Sequence, residues 1–189
     1  MAETFAVVAA DPPWKFRDKL SKKRGAASQY KSVMTLDEMK TFALPPLRDD
    51  AALFIWRVAA MESDARELMA AWGFTYKSEL VWIKLADPRH RGQRTLDSDD
   101  EPWAERKRRL GMGRIVRHEH EICLIGVRGK PKILDRGVRS TFRASAGRHS
   151  EKPVEFFHIV ERLYAGPYVE LFARQQRDGW TCIGNEVKP

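Results

Sequence analysis

Short apolar runs alternate along the chain with stretches in which apolar residues recur every three or four positions. Runs such as Phe5–Ala10 and Ala51–Trp56 are typical of strands buried on both faces. The intervening stretches are typical of helices that bury one face. This alternation predicts an α/β fold, with a mainly parallel sheet and helices on both faces.

The same pattern predicts the bounds of the elements. Strands are predicted at residues 5–10, 51–56, 77–84, 121–127, 168–172 and 180–183, and helices at about 35–43, 61–72 and 153–164. Thr35 and Glu38 have the spacing of a capping box at a helix start. Residues 131–149 are basic and irregular, and a short helix is possible over 103–110. We expect a single domain over 1–189, with mobile basic loops at about 15–31, 85–117 and 128–150.

Asp11-Pro12-Pro13-Trp14 follows the first buried strand. Open α/β sheets bind ligands at the carboxyl ends of such strands. A stiff loop with one carboxylate, free proline carbonyls and an indole suits a planar amine. The exocyclic amino group of a nucleobase is such an amine. If Asp11 and the Pro12 carbonyl each accept one of its hydrogens, the nitrogen can become pyramidal as it acts as a nucleophile, while Trp14 stacks on the base.

A second interpretation of this motif stays open on the residues alone. It is a tight turn in which Asp11 caps the next element and Trp14 fills the core.

Charge adds a preference for a polyanionic partner. The chain has a formal net charge of +8, and residues 15–31, 84–117 and 128–152 carry 25 of the 34 Lys/Arg but only 9 of the 26 Asp/Glu. A solvated surface is the ordinary explanation of a charge run, whereas basic loops around an acidic scaffold favour nucleic acid.

Other function classes are disfavoured. The chain shows no signal peptide and no apolar run long enough to span a bilayer, so we expect a cytoplasmic protein. No Gly-rich phosphate fingerprint follows a strand, which argues against NAD and ATP sites. His118 and His120 would share a strand face, but too few further ligands are near for a metal site. Cys123 and Cys182 are interpreted as reduced thiols, with one disulfide as the alternative.

Eight sequence blocks, in order, resemble the adenine-N6 methyltransferase family with the Asp-Pro-Pro-Trp signature. This family includes the catalytic subunit of the eukaryotic messenger-RNA adenine methyltransferase and many bacterial and phage DNA-modifying relatives. The resemblance runs from about residue 5 to 187, and the blocks are 5–14, 53–56, 72–74, 79–84, 120–126, 150–153, 170–174 and 184–186.

The resemblance implies a Rossmann-like methyltransferase fold that uses S-adenosyl-L-methionine, in a permuted order with the catalytic strand first. It implies in-line attack on the sulfonium methyl without a metal or a covalent intermediate. The implied catalytic residues are Asp11, Pro12, Pro13 and Trp14. The implied cofactor-binding residues are Asp11, Lys152, Glu170, Leu171, Phe172, Arg174, Asn185 and Glu186. The implied substrate contacts are Trp14 and Tyr30, and the basic loop adds Lys22, Lys23 and Arg24.

Two departures from the family bear on the cofactor. Only Met1 to Thr4 precede the signature strand, where relatives have a segment that helps to hold the cofactor's adenine. Gln175, Gln176 and Arg177 stand where relatives often place an Asn, so we expect altered ribose recognition.

By family analogy we expect methylation of adenine N6 in DNA, by a bacterial or phage modification enzyme acting as a monomer or homodimer. An RNA adenine-N6 methyltransferase is the first alternative. A non-catalytic nucleic-acid-binding partner subunit is the second, and the presence of Asp11 argues against it.

Overall fold

A computed structural model describes residues 3–15, 33–85, 115–146, 151–185 and 187. They form a seven-stranded sheet with helices on both faces. The strands are β1 (Phe5–Ala10), β2 (Leu47–Arg57), β3 (Thr75–Leu85), β4 (His120–Arg128), β5 (Thr141–Ser145), β6 (Tyr168–Leu171) and β7 (Trp180–Ile183). The helices are α1 (Leu36–Lys40), α2 (Glu62–Ala71) and α3 (Val154–Leu163), and a 3-10 helix, Ala59–Met61, precedes α2.

The sheet has the strand order β5-β3-β4-β2-β1-β6-β7. Strand β1 is inside the sheet and pairs in parallel with β2 and β6. The pairs β3–β5 and β6–β7 are also parallel, whereas β4 runs antiparallel to both β2 and β3. The predicted mainly parallel α/β sheet is therefore confirmed.

Two hydrophobic cores cover the two faces of β1 and leave all six of its residues buried. Val8 and Ala10 pack in the core that includes α1 and α2, and Val7 and Ala9 pack in the core that includes α3. Burying one large apolar side chain contributes about 1.5–3 kcal/mol. The two cores therefore fix the position of the loop that follows β1.

Helix α1 begins as predicted and ends early. The Thr35 hydroxyl accepts a hydrogen bond from the Glu38 N–H, and the Glu38 carboxylate accepts one from the Thr35 N–H, which confirms the capping box. The predicted end near residue 43 is wrong, because the helix stops at Lys40. The Thr41 hydroxyl donates to the carbonyls of Asp37 and Glu38 and so satisfies groups of the last turn.

Strand β5 contradicts the prediction of an irregular segment over 131–149. It pairs in parallel with β3, and the Val81 N–H donates to the Ser140 carbonyl just before it begins. Its position at the sheet edge leaves Thr141 and Arg143 exposed, while Ala144 is buried. An edge strand with charged residues has too little apolar pattern to be recognised. The possible helix over 103–110 lies outside the described residues.

Two further observations complete the fold. Cys123 and Cys182 are both free thiols, which confirms the reduced-thiol interpretation. Across the ranges that the structure describes, no helix is long and apolar enough to cross a membrane.

Candidate active site

The signature loop lies where the carboxyl ends of three strands meet. Ala10, the last residue of β1, pairs with Ile55 of β2 and with Leu171 of β6. Asp11 is the next residue, so its carboxylate is carried to this edge by a strand held on both sides. The fold therefore places Asp11 where open α/β sheets bind ligands.

The two proline carbonyls differ from the expectation. The Pro12 carbonyl accepts a hydrogen bond from the Trp14 N–H at 2.8 Å, and the Pro13 carbonyl accepts one from the Met34 N–H at 2.9 Å. Neither is free, which corrects the sequence-based description. A carbonyl oxygen has two lone pairs, so the Pro12 carbonyl still has the capacity to accept an amine hydrogen. The bonds also make the loop stiffer than the prolines alone would.

Trp14 is built into the core. Only 3% of its surface is exposed, and its Nε1 donates to the Trp56 carbonyl at 3.1 Å. Its ring packs in the same core as Met39 and Leu53. This is the packing that the second interpretation of the motif describes. Stacking of Trp14 on a base stays a prediction.

Lys152 joins the candidate catalytic carboxylate to a second one. Its ammonium is 2.8 Å from Asp11 Oδ2 and 3.4 Å from Glu121 Oε2. The Lys152 side chain is only 8% exposed, and its Nζ lies 5.2 Å from the centre of the Trp56 ring. Lys152 immediately precedes Pro153, the N-cap of α3. The start of this helix thus brings a cation to the end of β1.

Lys84 extends this arrangement to four alternating charges. At the carboxyl end of β3, its ammonium pairs with Glu121 Oε1. Asp11, Lys152, Glu121 and Lys84 therefore form a continuous chain of ion pairs, which we call the charge chain. Sequence reasoning did not identify Lys84 or Glu121. The available signal was a charged residue near the site end of each of two strands, inside an apolar pattern.

The charge chain keeps Glu121 ionised. Burial disfavours its carboxylate, but Lys152 and Lys84 outweigh burial and lower its pKa to about 2. Glu121 is thus an anion at neutral pH.

Glu170 shows the opposite behaviour. It lies on β6 beside Ala9 of β1 and opposite Cys182 of β7. Burial raises its pKa to about 7, although Arg177, whose Nε is 3.7 Å away, favours the anion; nearby Asp11 disfavours it. Glu170 is therefore a carboxyl group that changes charge near neutral pH.

The chain turns sharply after β6. Phe172 has a φ of +60°, a left-handed conformation that is rare for an aromatic residue. Its ring contacts Phe42, with the ring centres 5.1 Å apart. Leu171 is fully buried, main chain and side chain alike, and its contact with the cofactor stays a prediction.

Gly184 allows the ends of β6 and β7 to approach closely. The Ala173 N–H donates to the Ile183 carbonyl at 3.0 Å. A Cβ at Gly184 would lie 2.6 Å from the Ala173 nitrogen and closer still to its carbonyl oxygen. Arg174 and Asn185 follow these two contacting segments directly, which places both near the same sheet edge.

Arg177 is part of the fold. Its guanidinium lies 3.4 Å from the centre of the Phe157 ring and pairs with Glu170, and its side chain is 15% exposed. Gln175 donates to Glu151. These contacts occupy two of the three residues that depart from the family pattern.

The structure thus brings several predicted site residues to one edge of the sheet. Asp11 and Lys152 are in direct contact, and Glu170 interacts electrostatically with both. The other predicted residues Tyr30, Lys22, Lys23, Arg24 and Glu186 lie outside the described residues.

Comparison with known proteins agrees with this geometry. The MT-A70 family model matches residues 5–186. An N(6)-adenosine-methyltransferase MT-A70-like protein of Drosophila melanogaster is 32% identical, over 97% of this chain and 27% of its own length. The human N(6)-adenosine-methyltransferase catalytic subunit METTL3 is 31% identical, over 97% of this chain and 28% of its own length. The type II methyltransferase M.MunI of Mycoplasma sp is 26% identical, over 97% of this chain and 78% of its own length.

A mixed seven-stranded sheet with helices on both faces, and a carboxylate loop at its carboxyl edge, are consistent with the α/β fold of S-adenosylmethionine-dependent methyltransferases. The chain belongs to the MT-A70 family, whose model covers nearly its whole length. It spans less than a third of the length of the N(6)-adenosine-methyltransferases that it matches.

Proposed function

We propose that the chain methylates the N6 amine of adenine in DNA, with S-adenosyl-L-methionine as the methyl donor. The observation that carries this proposal is Asp11, fixed at the carboxyl end of β1 in an MT-A70 domain and paired with the buried Lys152. The placement of these two groups fits a reaction in which an amine receives a methyl group from a donor that carries a carboxylate.

Asp11 is the hydrogen-bond acceptor for the amine. An adenine amino group is a poor nucleophile because its lone pair is delocalised into the ring. A hydrogen bond from the amine to Asp11, with a second to the Pro12 carbonyl, holds the nitrogen while it becomes pyramidal. With the cofactor bound, the lone pair would form the new N–C bond as the S–C bond breaks and leaves a neutral thioether, and the amine proton would pass to water afterwards. Positioning of this kind supplies a large share of catalysis.

The described residues suit the cofactor. Lys152 is a buried cation just before the amino end of α3, where helix N–H groups also favour an anion, so it would hold the cofactor's carboxylate. Glu170, Leu171, Phe172, Arg174 and Asn185, with Glu186, would line its remaining parts. The cofactor supplies an electrophilic methyl group on sulfur.

Two comparisons bear on whether the substrate is DNA or RNA, and they favour different polymers. The similarity to the type II methyltransferase M.MunI, of which the chain covers 78%, supports DNA as the first candidate. The identities of 32% and 31% to N(6)-adenosine-methyltransferases favour RNA as the second candidate. In either polymer, the target adenine has to leave its stack or be unpaired already.

The test is incubation of the protein with isotope-labelled S-adenosylmethionine and oligonucleotides of one sequence, as duplex DNA, single-stranded DNA and RNA, followed by nucleoside analysis. We expect labelled N6-methyl-2′-deoxyadenosine from DNA. Matched oligonucleotides with purine, which lacks the amine, in place of adenine should stay unlabelled. Label in RNA alone would select the second candidate, and label on cytosine would overturn the proposal. Nucleic-acid binding without label would indicate a non-catalytic subunit.

A further inference from the structure

Lys152 lies between two carboxylates that compete for one ammonium. The pairing distances are 2.8 Å to Asp11 and 3.4 Å to Glu121. All three side chains are largely shielded, with exposed fractions of 8%, 15% and 27%. Charges in such surroundings interact more strongly than charges in water. A change in the charge of Glu121 therefore alters how firmly Lys152 is held.

Lys84 is at the far end of the charge chain and is linked to Lys152 through Glu121, with which both lysines pair. It pairs with the other oxygen of Glu121, so it neutralises part of that carboxylate's attraction for Lys152. Neither Lys84 nor Glu121 pairs with Asp11 among the residues that the structure describes.

We propose that Glu121 and Lys84 are positioning residues that divide Lys152 between Asp11 and the cofactor's carboxylate. Glu121 draws the ammonium away from Asp11 and leaves that carboxylate more available to the amine. Lys84 limits this attraction, so that Lys152 can still bind the cofactor. This inference rests on the proposed function and adds to it two residues outside the signature.

The proposal predicts effects of opposite sign at the two positions. Glu121→Gln removes an anion that competes for Lys152, so a ligand carboxylate should bind more tightly. The same substitution leaves Lys152 to Asp11, so the turnover rate should fall. Lys84→Gln strengthens the hold of Glu121 on Lys152, so a ligand carboxylate should bind more weakly. Loss of structural support alone would weaken binding in both variants.

Calorimetry on the whole chain tests this with two ligands. S-adenosylhomocysteine carries the amino-acid carboxylate, whereas 5′-methylthioadenosine lacks it. We expect the Kd of S-adenosylhomocysteine to fall in Glu121→Gln and to rise in Lys84→Gln, each by roughly tenfold, which is the scale of coupling between neighbouring charges. The double variant should bind nearly as Glu121→Gln does, because Lys84 acts on Lys152 through Glu121. The Kd of 5′-methylthioadenosine should stay within about twofold in all of them.

Lys77→Gln and Glu79→Gln, on β3 outside the charge chain, are the matched controls, and both should bind as wild type does. Equal weakening in Glu121→Gln and Lys84→Gln, no change in either, or an equal effect on 5′-methylthioadenosine would overturn the proposal. If Glu121→Gln does not fold, Lys84→Gln decides alone, because unchanged or tighter binding of S-adenosylhomocysteine by that variant would contradict the proposal. Wild-type protein that binds neither ligand would overturn the proposed function as well, whereas normal wild-type binding with the wrong variant pattern overturns only this inference.

Discussion

Two half-buried carboxyl groups near the site, Glu121 and Glu170, have opposite pKa shifts because they differ in their partners. Glu121 has two lysines against it, which together outweigh burial. Glu170 has one close cation, Arg177, at 3.7 Å, together with repulsion from Asp11. Arg177 and the weaker attraction of Lys152 do not offset burial, so the proton stays on Glu170 until about pH 7.

Glu170 should therefore destabilise the folded protein increasingly as pH rises. Its pKa is about 7 in the folded protein against an ordinary value of 4.5 for a glutamate in water, so the folded state holds a proton that the unfolded chain releases between these values. The free energy of unfolding falls across this window, by an amount on the order of 3 kcal/mol. Relative to wild type, Glu170→Gln should gain about this much stability between pH 4.5 and pH 8. Urea unfolding at several pH values measures it.

The matched control is Thr181→Ala, which removes no titratable group from an exposed position of the neighbouring strand β7, and its stability relative to wild type should not change over the same window. Parallel pH profiles of wild type and Glu170→Gln would refute the account of Glu170.

At the level of residues, the sequence predicted the groups that are close to a recognisable motif. Asp11 follows a buried strand, and Lys152 precedes a helix with Pro153 at its start, so both were placed correctly at element ends. Lys84 and Glu121 were missed because their partners are on separate elements, and sequence spacing does not show which charges meet across a sheet. Trp14 had two interpretations, stacking on a base or filling the core, because an indole beside a buried strand suits both. The structure buries it in the core, and stacking on a base stays a prediction.

Among the elements, the close contact between the ends of β6 and β7 requires that residue 184 carries no side chain. The close approach of Gly184 to the backbone of Ala173 allows the hydrogen bond from Ala173 to Ile183. This contact fixes the segments that carry Arg174 and Asn185. Packing of backbone on backbone leaves no flexible atom to move aside.

Gly184→Ala should separate these segments. We expect a loss of stability of about 1–3 kcal/mol, as for other overpacked sites, and weaker binding of S-adenosylhomocysteine. Thr181→Ala, at an exposed position of β7, is the control and should change stability by less than about 0.5 kcal/mol. Differential scanning calorimetry and titration calorimetry give the two quantities. A Gly184→Ala variant as stable as the control would show that the contact is not limiting.

The elements that sequence predicted best are those with a strong apolar pattern. The bounds of β1 and β7 agree with the structure, because an unbroken apolar run or clear turn residues define both. Strand β2 begins earlier than predicted, at Leu47, since its first residues are polar and exposed. Strand β5 was missed for the same reason. The direction of β4 was also beyond reach, because apolar alternation does not distinguish parallel from antiparallel pairing.

At the scale of the whole molecule, the two cores hold β1 inside the sheet and position Asp11 at its edge. The predicted nucleic-acid contacts Lys22, Lys23 and Arg24 lie outside the described residues. The fixed carboxylate of Asp11 is the proposed hydrogen-bond acceptor of the adenine amine.

The most direct measurement is the rate of methyl transfer to DNA by wild type, Asp11→Asn and a control, Asp49→Asn, an exposed position on β2. The product is identified as N6-methyl-2′-deoxyadenosine after digestion. We expect Asp11→Asn to lower the rate by about 10²–10³-fold, as for loss of one preorganised charged contact, while Asp49→Asn stays within about twofold of wild type. An Asp11→Asn protein that is folded, binds S-adenosylhomocysteine and methylates adenine at the wild-type rate would contradict the account.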